Sequence, residues 1–316
     1  MTVSTDDTGA AQDGRRRRAL HHREQVMGTI VTIDVFVDAG MSVDRLAAHV
    51  GRARSALHRA DDVFSTWKAD SPMSRLRRGE ATLSQMPPEV AGVLDACRAA
   101  RMLSGGWFDP WALPGGVDPT GYVKGWAAEL ALGALRTPDV AAAVVNAAGD
   151  IASFGGPAPG QPFRFAVVDP FDRARLACIV EHTGAVATSG TSEQDHHLID
   201  PHSRRPASAV ASATVTGPEL GLADALATAL AVGGPGVLER IDAVDGFEAL
   251  VIGYDGDRRW TCGFPWAPES RPAAVDQMLS AGLNVPTMRA EGLPCRVAPR
   301  LSAHEKIGCP VGVPRR

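Results

Sequence analysis

The chain has 316 residues, of which 45% are hydrophobic and 22% charged, and its net charge is −4. This composition is typical of a soluble globular protein with enough apolar material for a sizeable core, and it gives no indication of a nucleic-acid partner. Five scattered cysteines without a CxxC spacing argue against a disulfide framework or a zinc site. The sequence shows neither a secretory signal nor an apolar run of roughly 18 residues. We therefore expect a cytoplasmic protein without membrane insertion.

The first elements are predicted from changes in periodicity. Residues 1–23 are polar and then basic without periodicity, which predicts a disordered leader. From Ile30 onward apolar and polar residues alternate, which predicts a strand. Ser42 is expected to cap a helix that runs to about Val63. A second helix is predicted from Pro88. Its expected buried residues are Val90, Val93, Leu94, Cys97 and Met102.

The middle of the chain alternates between loops, strands and helices. Residues 105–121 are rich in Gly, Pro, Trp and Asp and predict an ordered loop, and helices are expected over 123–135 and 221–232. The predicted strands are 142–146, 163–168 paired with 178–181, 185–189 paired with 213–216, and 249–254. Because strands and helices interleave without strict βαβ repetition, we predict an α+β fold. Beyond Pro268 the chain is rich in Pro, Ala and Arg, and we predict no fold for it.

Asp224 and Thr228 lie on one face of the helix predicted over 221–232 because they are four residues apart. A carboxylate and a hydroxyl are hard oxygen ligands, which suit Mg²⁺. The same spacing also fits a structural role, in which Asp224 interacts with the helix dipole and Thr228 bonds back to a carbonyl. Spacing alone leaves both interpretations open.

Two adjacent histidines, His196 and His197, stand in the segment 195–201. In a strand they point to opposite faces, so at most one of them can face a given site. A zinc site would need further His or Cys ligands at suitable spacings, which are absent. One histidine could act as a general base, although an ordinary surface histidine is the simpler interpretation.

A third group of residues combines the loop around Asp109 with the turn that ends at Gly121. Gly121 lets the backbone approach a ligand closely, and Lys124 opens the next helix, where a phosphate would bind favourably. Trp67 could stack on a planar ring or belong to the core. The chain has no P-loop and no GxGxxG after a strand, and Ser189 lacks a GxSxG context, which argues against a serine hydrolase.

These weak signals occur along the chain in one order. The succession is MGT at 27–29, FSTW at 64–67, FDP at 108–110, VD at 117–118, KGWA at 124–127, NAAGDI at 146–151, ATSG at 187–190, HLIDP at 197–201 and ADALATAL at 223–230. It resembles the ApbE family of FAD:protein FMN transferases, and the resemblance extends from about Glu24 to Trp266.

The resemblance implies a single α+β domain of T-fold-like type, with mixed or antiparallel sheets and packed helices, at residues 24–268. The leader 1–23 and a tail 269–316 would flank this domain. The resemblance also implies Mg²⁺-dependent transfer of FMN from FAD to a Thr or Ser hydroxyl of a target flavoprotein, with release of AMP.

Site residues follow from their positions in the motifs. Asp224 and Thr228 resemble side-chain metal ligands, and Gly121 resembles a backbone-carbonyl ligand. His197 resembles the family's histidine, a base for the attacking hydroxyl, and we count Asp224 with it as catalytic. The positions that resemble flavin or adenine contacts are Met27, Trp67, Trp107, Phe108, Asp109, Asp118, Lys124 and Leu198.

The sequence departs from the family's motifs at two places, and two other functions fit the same residues. Ala148 stands where the family often has a second Gly, and Pro119-Thr120 replaces a Leu-Gly pair, which weakens detailed assignments around Gly121. A Mg²⁺-dependent FAD pyrophosphatase would use the same site with water in place of the acceptor. A non-catalytic flavin-binding protein is the other alternative, although plain binding does not require a metal site.

Overall fold

A long antiparallel sheet forms the centre of the computed structural model, which describes residues 17–38, 41–190, 198–206, 209–272 and 288–289. The strands are β1 (Arg17–Val26), β2 (Thr29–Asp38), β3 (Val140–Ala147), β4 (Asp150–Phe154), β5 (Phe163–Val168), β6 (Leu176–His182), β7 (Ala185–Gly190), β8 (Ser212–Gly217), β9 (Glu248–Ile252), β10 (Arg258–Trp260) and β11 (Met288–Arg289). The spatial order of the large sheet is β1-β2-β3-β4-β7-β8-β9-β10-β11, and β5 and β6 form a separate hairpin.

Helices cover one face of this sheet. They are α1 (Val43–Phe64), α2 (Pro72–Arg77), α3 (Pro88–Leu103), α4 (Thr120–Leu135), α5 (Leu220–Gly233) and α6 (Leu238–Asp242). Short 3-10 turns lie at Leu83–Gln85, Gly234–Val237 and Pro268–Ser270. Within the helical layer α4 packs against both α1 and α5. The predicted combination of helices and antiparallel strands in an α+β fold is confirmed.

Alternating side chains divide the sheet between two cores. On β3, Ala143 and Val145 face the helices, whereas Ala142 and Val144 face the β5–β6 hairpin. Successive side chains of a strand point to opposite faces, so one strand contributes to both cores. The sheet is therefore the middle layer of three.

Most predicted elements are confirmed, including the alternation on β2 and the cap of α1. Val31, Ile33 and Val35 are fully buried on β2. The hydroxyl of Ser42 accepts a hydrogen bond of 3.3 Å from the backbone N–H of Arg45 at the start of α1. The predicted pairing of the strands at 163–168 and 178–181, and of those at 185–189 and 213–216, is also confirmed.

The predicted disordered leader is wrong over residues 17–23, because these residues belong to β1. This strand pairs along its whole length with β2, and its residues Leu20 and Val26 are buried. A strand rich in Arg and His lacks the apolar alternation that predicts strands, so only its pairing with β2 accounts for it. Residues 1–16 and most of the predicted tail 269–316 lie outside the described residues, so those parts of the prediction stay open.

Two helical details also differ from the prediction. Met102 is 65% exposed, because the buried stripe of α3 continues from Cys97 to Ala100. Helix α4 begins at Thr120, three residues before the predicted start. The carboxylate of Asp118 accepts a 3.1 Å hydrogen bond from the backbone N–H of Thr120, and this contact extends the helix toward the preceding loop.

One run among the described residues, Leu220–Asp242, is long and apolar enough for a membrane span. From the sequence we expect no such run. The most apolar window of Leu220–Asp242 is 72% buried inside the protein. The run contains α5, which lies against β7 and β8. A core helix meets the same criteria of length and composition, so burial accounts for its apolar character.

Helices α4 and α5 approach each other closely at two glycines. A Cβ atom built on Gly125 would lie 2.6 Å from the carbonyl oxygen of Leu220, and one built on Gly221 would lie 2.8 Å from the ring of Tyr122. A real Cβ at either position would push the two helices apart.

We therefore expect Gly125→Ala to lower the free energy of unfolding by about 1–3 kcal/mol through overpacking. Denaturant unfolding checks this value. The matched control is Gly133→Ala on the same helix, where a built Cβ meets nothing within 4 Å. That control should stabilise the protein by up to about 1 kcal/mol, because Ala favours helix more than Gly. Equal changes in the free energy of unfolding of both variants would contradict the close contact between Gly125 and the backbone of Leu220.

A buried carboxylate joins β1 to α1. Glu24 accepts hydrogen bonds of 2.8 Å from His22 and from His58, and it also binds Arg54. The hydrogen bond from Arg54 is the main cause that lowers the pKa of Glu24 to about 2, against the opposing effect of burial. The ionised carboxylate is therefore stabilised in the folded state.

We expect Glu24→Gln to lower the free energy of unfolding at pH 7 by about 1–3 kcal/mol, because it removes a charged acceptor from the Arg54 guanidinium and from two histidines. The stability that ionised Glu24 contributes is complete above its ordinary pKa of 4.5 and is lost as the pH falls toward 2. The difference between wild type and variant should accordingly shrink below pH 4.5 in urea titrations. Glu80→Gln, which removes an exposed partner of Arg78, serves as the surface control. A difference that stays constant from pH 7 to pH 3 would argue against this linkage.

Candidate active site

A cavity of about 1250 Å³ opens between the helical layer and the ends of the sheet strands. The structure describes eleven of the twelve predicted site residues, and all eleven lie in its wall. They are Met27, Trp67, Trp107, Phe108, Asp109, Asp118, Gly121, Lys124, Leu198, Asp224 and Thr228. His197 lies outside the described residues. Residues as far apart in sequence as Met27 and Thr228 therefore line the same cavity.

The three predicted metal ligands come together where α4 meets α5. Asp224 is 3% exposed, and Thr228 lies one turn further along α5. A Cβ built on Gly121 would lie 3.6 Å from the hydroxyl oxygen of Thr228, so the first turn of α4 is adjacent to that hydroxyl. Ser189 on β7 adds a second hydroxyl, 3.4 Å from that of Thr228.

This donor set suits a hard cation. It offers one carboxylate, two hydroxyls and a backbone carbonyl, all oxygen ligands. Mg²⁺ sites commonly use one or two carboxylates and complete the shell with water and substrate phosphates. The described part of the chain contains no cluster of three His, Cys, Asp or Glu side chains that could hold a metal. The oxygen donors present therefore fit a Mg²⁺ ion shared with a phosphate ligand.

Lys124 is held in the cavity wall by a buried carboxylate. Its ammonium nitrogen lies 2.6 Å from Oδ2 of Asp150, which is 1% exposed. The backbone N–H of Thr188 donates to the other oxygen of Asp150 at 3.3 Å. Burial raises the pKa of Asp150, and the charge of Lys124 opposes that shift. The ion pair fixes a positive charge in the wall.

Two tight turns contribute backbone to the wall. Met27 and Gly28 connect β1 to β2 with φ values of 53° and 70°, and Ala148 and Gly149 connect β3 to β4 with φ values of 53° and 99°. Met27, Gly28 and Ala148 line the cavity. A side chain in this left-handed region costs about 1–2 kcal/mol, which explains why a Gly in place of Ala148 is favourable. Ala148 therefore adopts a backbone conformation that favours Gly, the residue that the resemblance leads us to expect here.

Aromatic side chains form the mouth and one side of the cavity. Trp67 is 95% exposed at the rim, so its ring is available to a ligand and is not part of the core. Phe108 is buried beside Gly121, and Trp107 packs edge-on against the ring of His202 with centroids 4.6 Å apart. An exposed indole at a cavity rim offers a stacking surface for a planar ring.

Asp109 has structural partners of its own. One oxygen accepts a 2.7 Å hydrogen bond from Arg101, and the other accepts a 2.9 Å bond from the backbone N–H of Trp111. These contacts organise the loop that follows. A contact of Asp109 with a ligand stays a prediction.

Several residues of the wall carry no role that the sequence predicts. Asp150 belongs to the NAAGDI segment, which predicts no role for it, and the sequence around Ser189 argues only against a nucleophile. Arg173 and Lys68 also line the cavity. Lys68 pairs with Asp61 and Asp62 at 2.6 and 2.7 Å. No sequence signal distinguished Arg173, since it lies in the short turn between β5 and β6.

Comparisons with known proteins identify the family to which the chain belongs. The model of the ApbE family matches residues 27–115 and 113–251. The FAD:protein FMN transferase of Rhodobacter capsulatus is 34% identical over 144 residues, which cover 43% of this chain and 27% of that protein. The chain thus matches about a quarter of the length of this curated relative.

Solved structures support the fold. The flavin transferase ApbE from Vibrio cholerae has a TM-score of 0.66 at 23% identity, covering 77% of this chain and 96% of that one. The ApbE protein from Thermotoga maritima has a TM-score of 0.65 at 21% identity, covering 76% and 96%. At these identities the similarity establishes a common α+β fold.

Proposed function

The chain belongs to the ApbE family, and we propose that it transfers the FMN moiety of FAD to a Ser or Thr hydroxyl of a target flavoprotein, with release of AMP. The observation that carries this proposal is the cavity wall itself. Hard oxygen donors at Asp224, Thr228 and Gly121 lie in the same cavity as the Lys124 cation and the exposed ring of Trp67. A dinucleotide with a pyrophosphate and planar rings requires these chemical groups together.

The proposed reaction exchanges the phosphoanhydride bond of FAD for a phosphoester bond to the acceptor hydroxyl. The acceptor oxygen forms a bond to the FMN phosphorus, while the bond from that phosphorus to the bridging pyrophosphate oxygen breaks. AMP leaves with the bridging oxygen, and the hydroxyl proton passes to a base, for which His197 is our candidate. No covalent intermediate with this chain is needed.

Each part of the wall would have its own role. Asp224, Thr228 and the carbonyl of Gly121 would hold Mg²⁺, which when bound neutralises charge on the phosphates. The Lys124 ammonium adds a fixed positive charge beside the same phosphates, and its ion pair with Asp150 keeps it in place. Trp67 would cover a ring at the mouth. We also propose that residues 24–268 contain the catalytic domain, with β1 extending it toward residue 17.

Two other functions would use the same cavity. A FAD pyrophosphatase would admit water in place of the acceptor hydroxyl and release FMN and AMP. A non-catalytic flavin-binding protein would leave FAD intact. Oxygen donors that fit Mg²⁺ beside a cation favour a catalytic role, because flavin binding alone does not require a metal.

One experiment separates these functions. The full chain is incubated with FAD, Mg²⁺ and a candidate flavoprotein acceptor, while nucleotides are followed by chromatography and the acceptor by mass spectrometry. We expect AMP release and an FMN-sized mass gain on the acceptor, both abolished by EDTA. Free FMN with an unmodified acceptor would instead identify a pyrophosphatase, and intact FAD would identify a binding protein. An acceptor whose target hydroxyl has been removed is the matched control.

A further inference from the structure

Arg77, the last residue of α2, holds the loop that leads into α4 at three points. Its guanidinium donates to the carboxylate of Asp118 at 2.9 Å, to the carbonyl oxygen of Pro114 at 3.2 Å and to that of Gly115 at 3.3 Å. The side chains of Arg77 and Asp118 are only 15% and 19% exposed. One rigid, planar group therefore organises a segment without regular secondary structure.

The backbone of this loop is fitted closely to Arg77. Gly115 and Gly116 have φ values of 83° and 100°, a region that favours glycine. A Cβ built on Gly116 would lie 3.1 Å from the backbone oxygen of Arg77. The close approach is independent of the side-chain hydrogen bonds, and both place the loop against the end of α2.

The contact reaches the candidate active site through Asp118. While one oxygen of Asp118 accepts from Arg77, the other accepts from the backbone N–H of Thr120 at the start of α4. Asp118 and Pro114 line the cavity, whereas Arg77 is not among the residues of its wall. The first two turns of α4 then carry Gly121 and Lys124 into the same cavity.

We infer that Arg77 is a positioning residue for flavin dinucleotide binding, acting through Asp118 and the loop 110–118 on the first turn of α4. The inference rests on the proposed function for the identity of the ligand. A guanidinium is needed because its several N–H groups serve a carboxylate and two carbonyls at once. A lysine at this position could serve Asp118 but would leave the carbonyls of Pro114 and Gly115 without their donor.

The test compares Arg77→Ala and Arg77→Lys with wild type in FAD affinity, measured by flavin fluorescence, and in KM and kcat for AMP release. We expect Arg77→Ala to weaken FAD binding and to raise KM by about 10–100-fold, because small displacements of positioning groups have effects of this size. The change in kcat should be much smaller. Arg77→Lys should recover part of the affinity.

The matched control is Arg78→Ala. Arg78 follows Arg77 directly and also binds a carboxylate and a carbonyl, those of Glu80 and Ala69, at 2.6 and 2.8 Å. Neither of these partners lines the cavity, so FAD affinity should stay at the wild-type value. Thermal unfolding of all variants reports their stability.

Distinct outcomes decide the inference. The inference is supported if Arg77→Ala binds FAD more weakly than wild type and the double variant Arg77→Ala/Asp118→Ala binds it no more weakly than the weaker of the two single variants. A lower melting temperature with unchanged FAD affinity and KM would overturn it, since that result describes a purely structural contact. If Arg77→Ala does not fold, wild-type affinity and KM in Arg77→Lys would overturn it equally. Because FAD binding is measured without an acceptor, the result does not depend on whether wild type transfers FMN or hydrolyses FAD.

Discussion

Replacing Asp224 with asparagine should lower the rate of AMP release by about 10³-fold or more at a fixed Mg²⁺ concentration. The change keeps the size of a side chain that is 3% exposed and removes its charge. A ligand carboxylate for a phosphate-bound metal stabilises the transition state by several kcal/mol, and each 1.36 kcal/mol corresponds to about tenfold in rate. Initial rates over a Mg²⁺ titration measure the effect.

Mg²⁺ binding to wild type and to Asp224→Asn should also be measured directly. Isothermal titration of Mg²⁺ in the presence of FAD should show affinity in wild type and its loss in Asp224→Asn. Glu239→Gln, which changes an exposed carboxylate on α6, is the control and should behave as wild type. Full activity of Asp224→Asn at saturating Mg²⁺ would disprove the metal assignment of this residue.

Replacing Lys124 with methionine should affect stability and ligand binding together. The ammonium group lies 2.6 Å from the buried carboxylate of Asp150. Its removal leaves that carboxylate without its counter-charge, and breaking a pair of this kind costs about 2–4 kcal/mol when one partner is partly exposed. The variant also loses a positive charge of the cavity wall, so FAD affinity should fall. Denaturant unfolding and flavin fluorescence measure the two effects.

A double-mutant cycle separates the two roles of Lys124. Adding Asp150→Asn to Lys124→Met removes the unpaired charge, so the double variant should regain most of the stability but not the FAD affinity. In Lys124→Met alone the deficit should shrink as the pH falls, because burial raises the pKa of Asp150 and a protonated carboxyl needs no cation. Lys68→Met, which breaks a more exposed pair with Asp61 and Asp62, should cost at most about 1 kcal/mol. Recovery of FAD binding in the double variant would argue against a ligand contact of Lys124.

The chain order of short motifs was sufficient to identify the family, and periodicity located most helices and strands. Alternation on β2 and the stripe of α1 are local properties, since each follows from the geometry of a single element. The site residues could be chosen from the motifs, and the structure places the eleven that it describes in one cavity. Their roles stay predictions until the variants above are measured.

Only the tertiary structure decided the features that depend on a distant partner. Strand β1 is polar and exists because β2 pairs with it, and Glu24 binds Arg54 and His58 from a helix some thirty residues away. Asp150 forms an ion pair with Lys124, 26 positions away, and Arg77 donates a hydrogen bond to Asp118, 41 positions away. A single sequence records local periodicity and residue type, which determined the family, the core faces and the choice of site residues. Which charged side chain meets which carboxylate depends on how the elements pack, and no periodicity within one element carries that information.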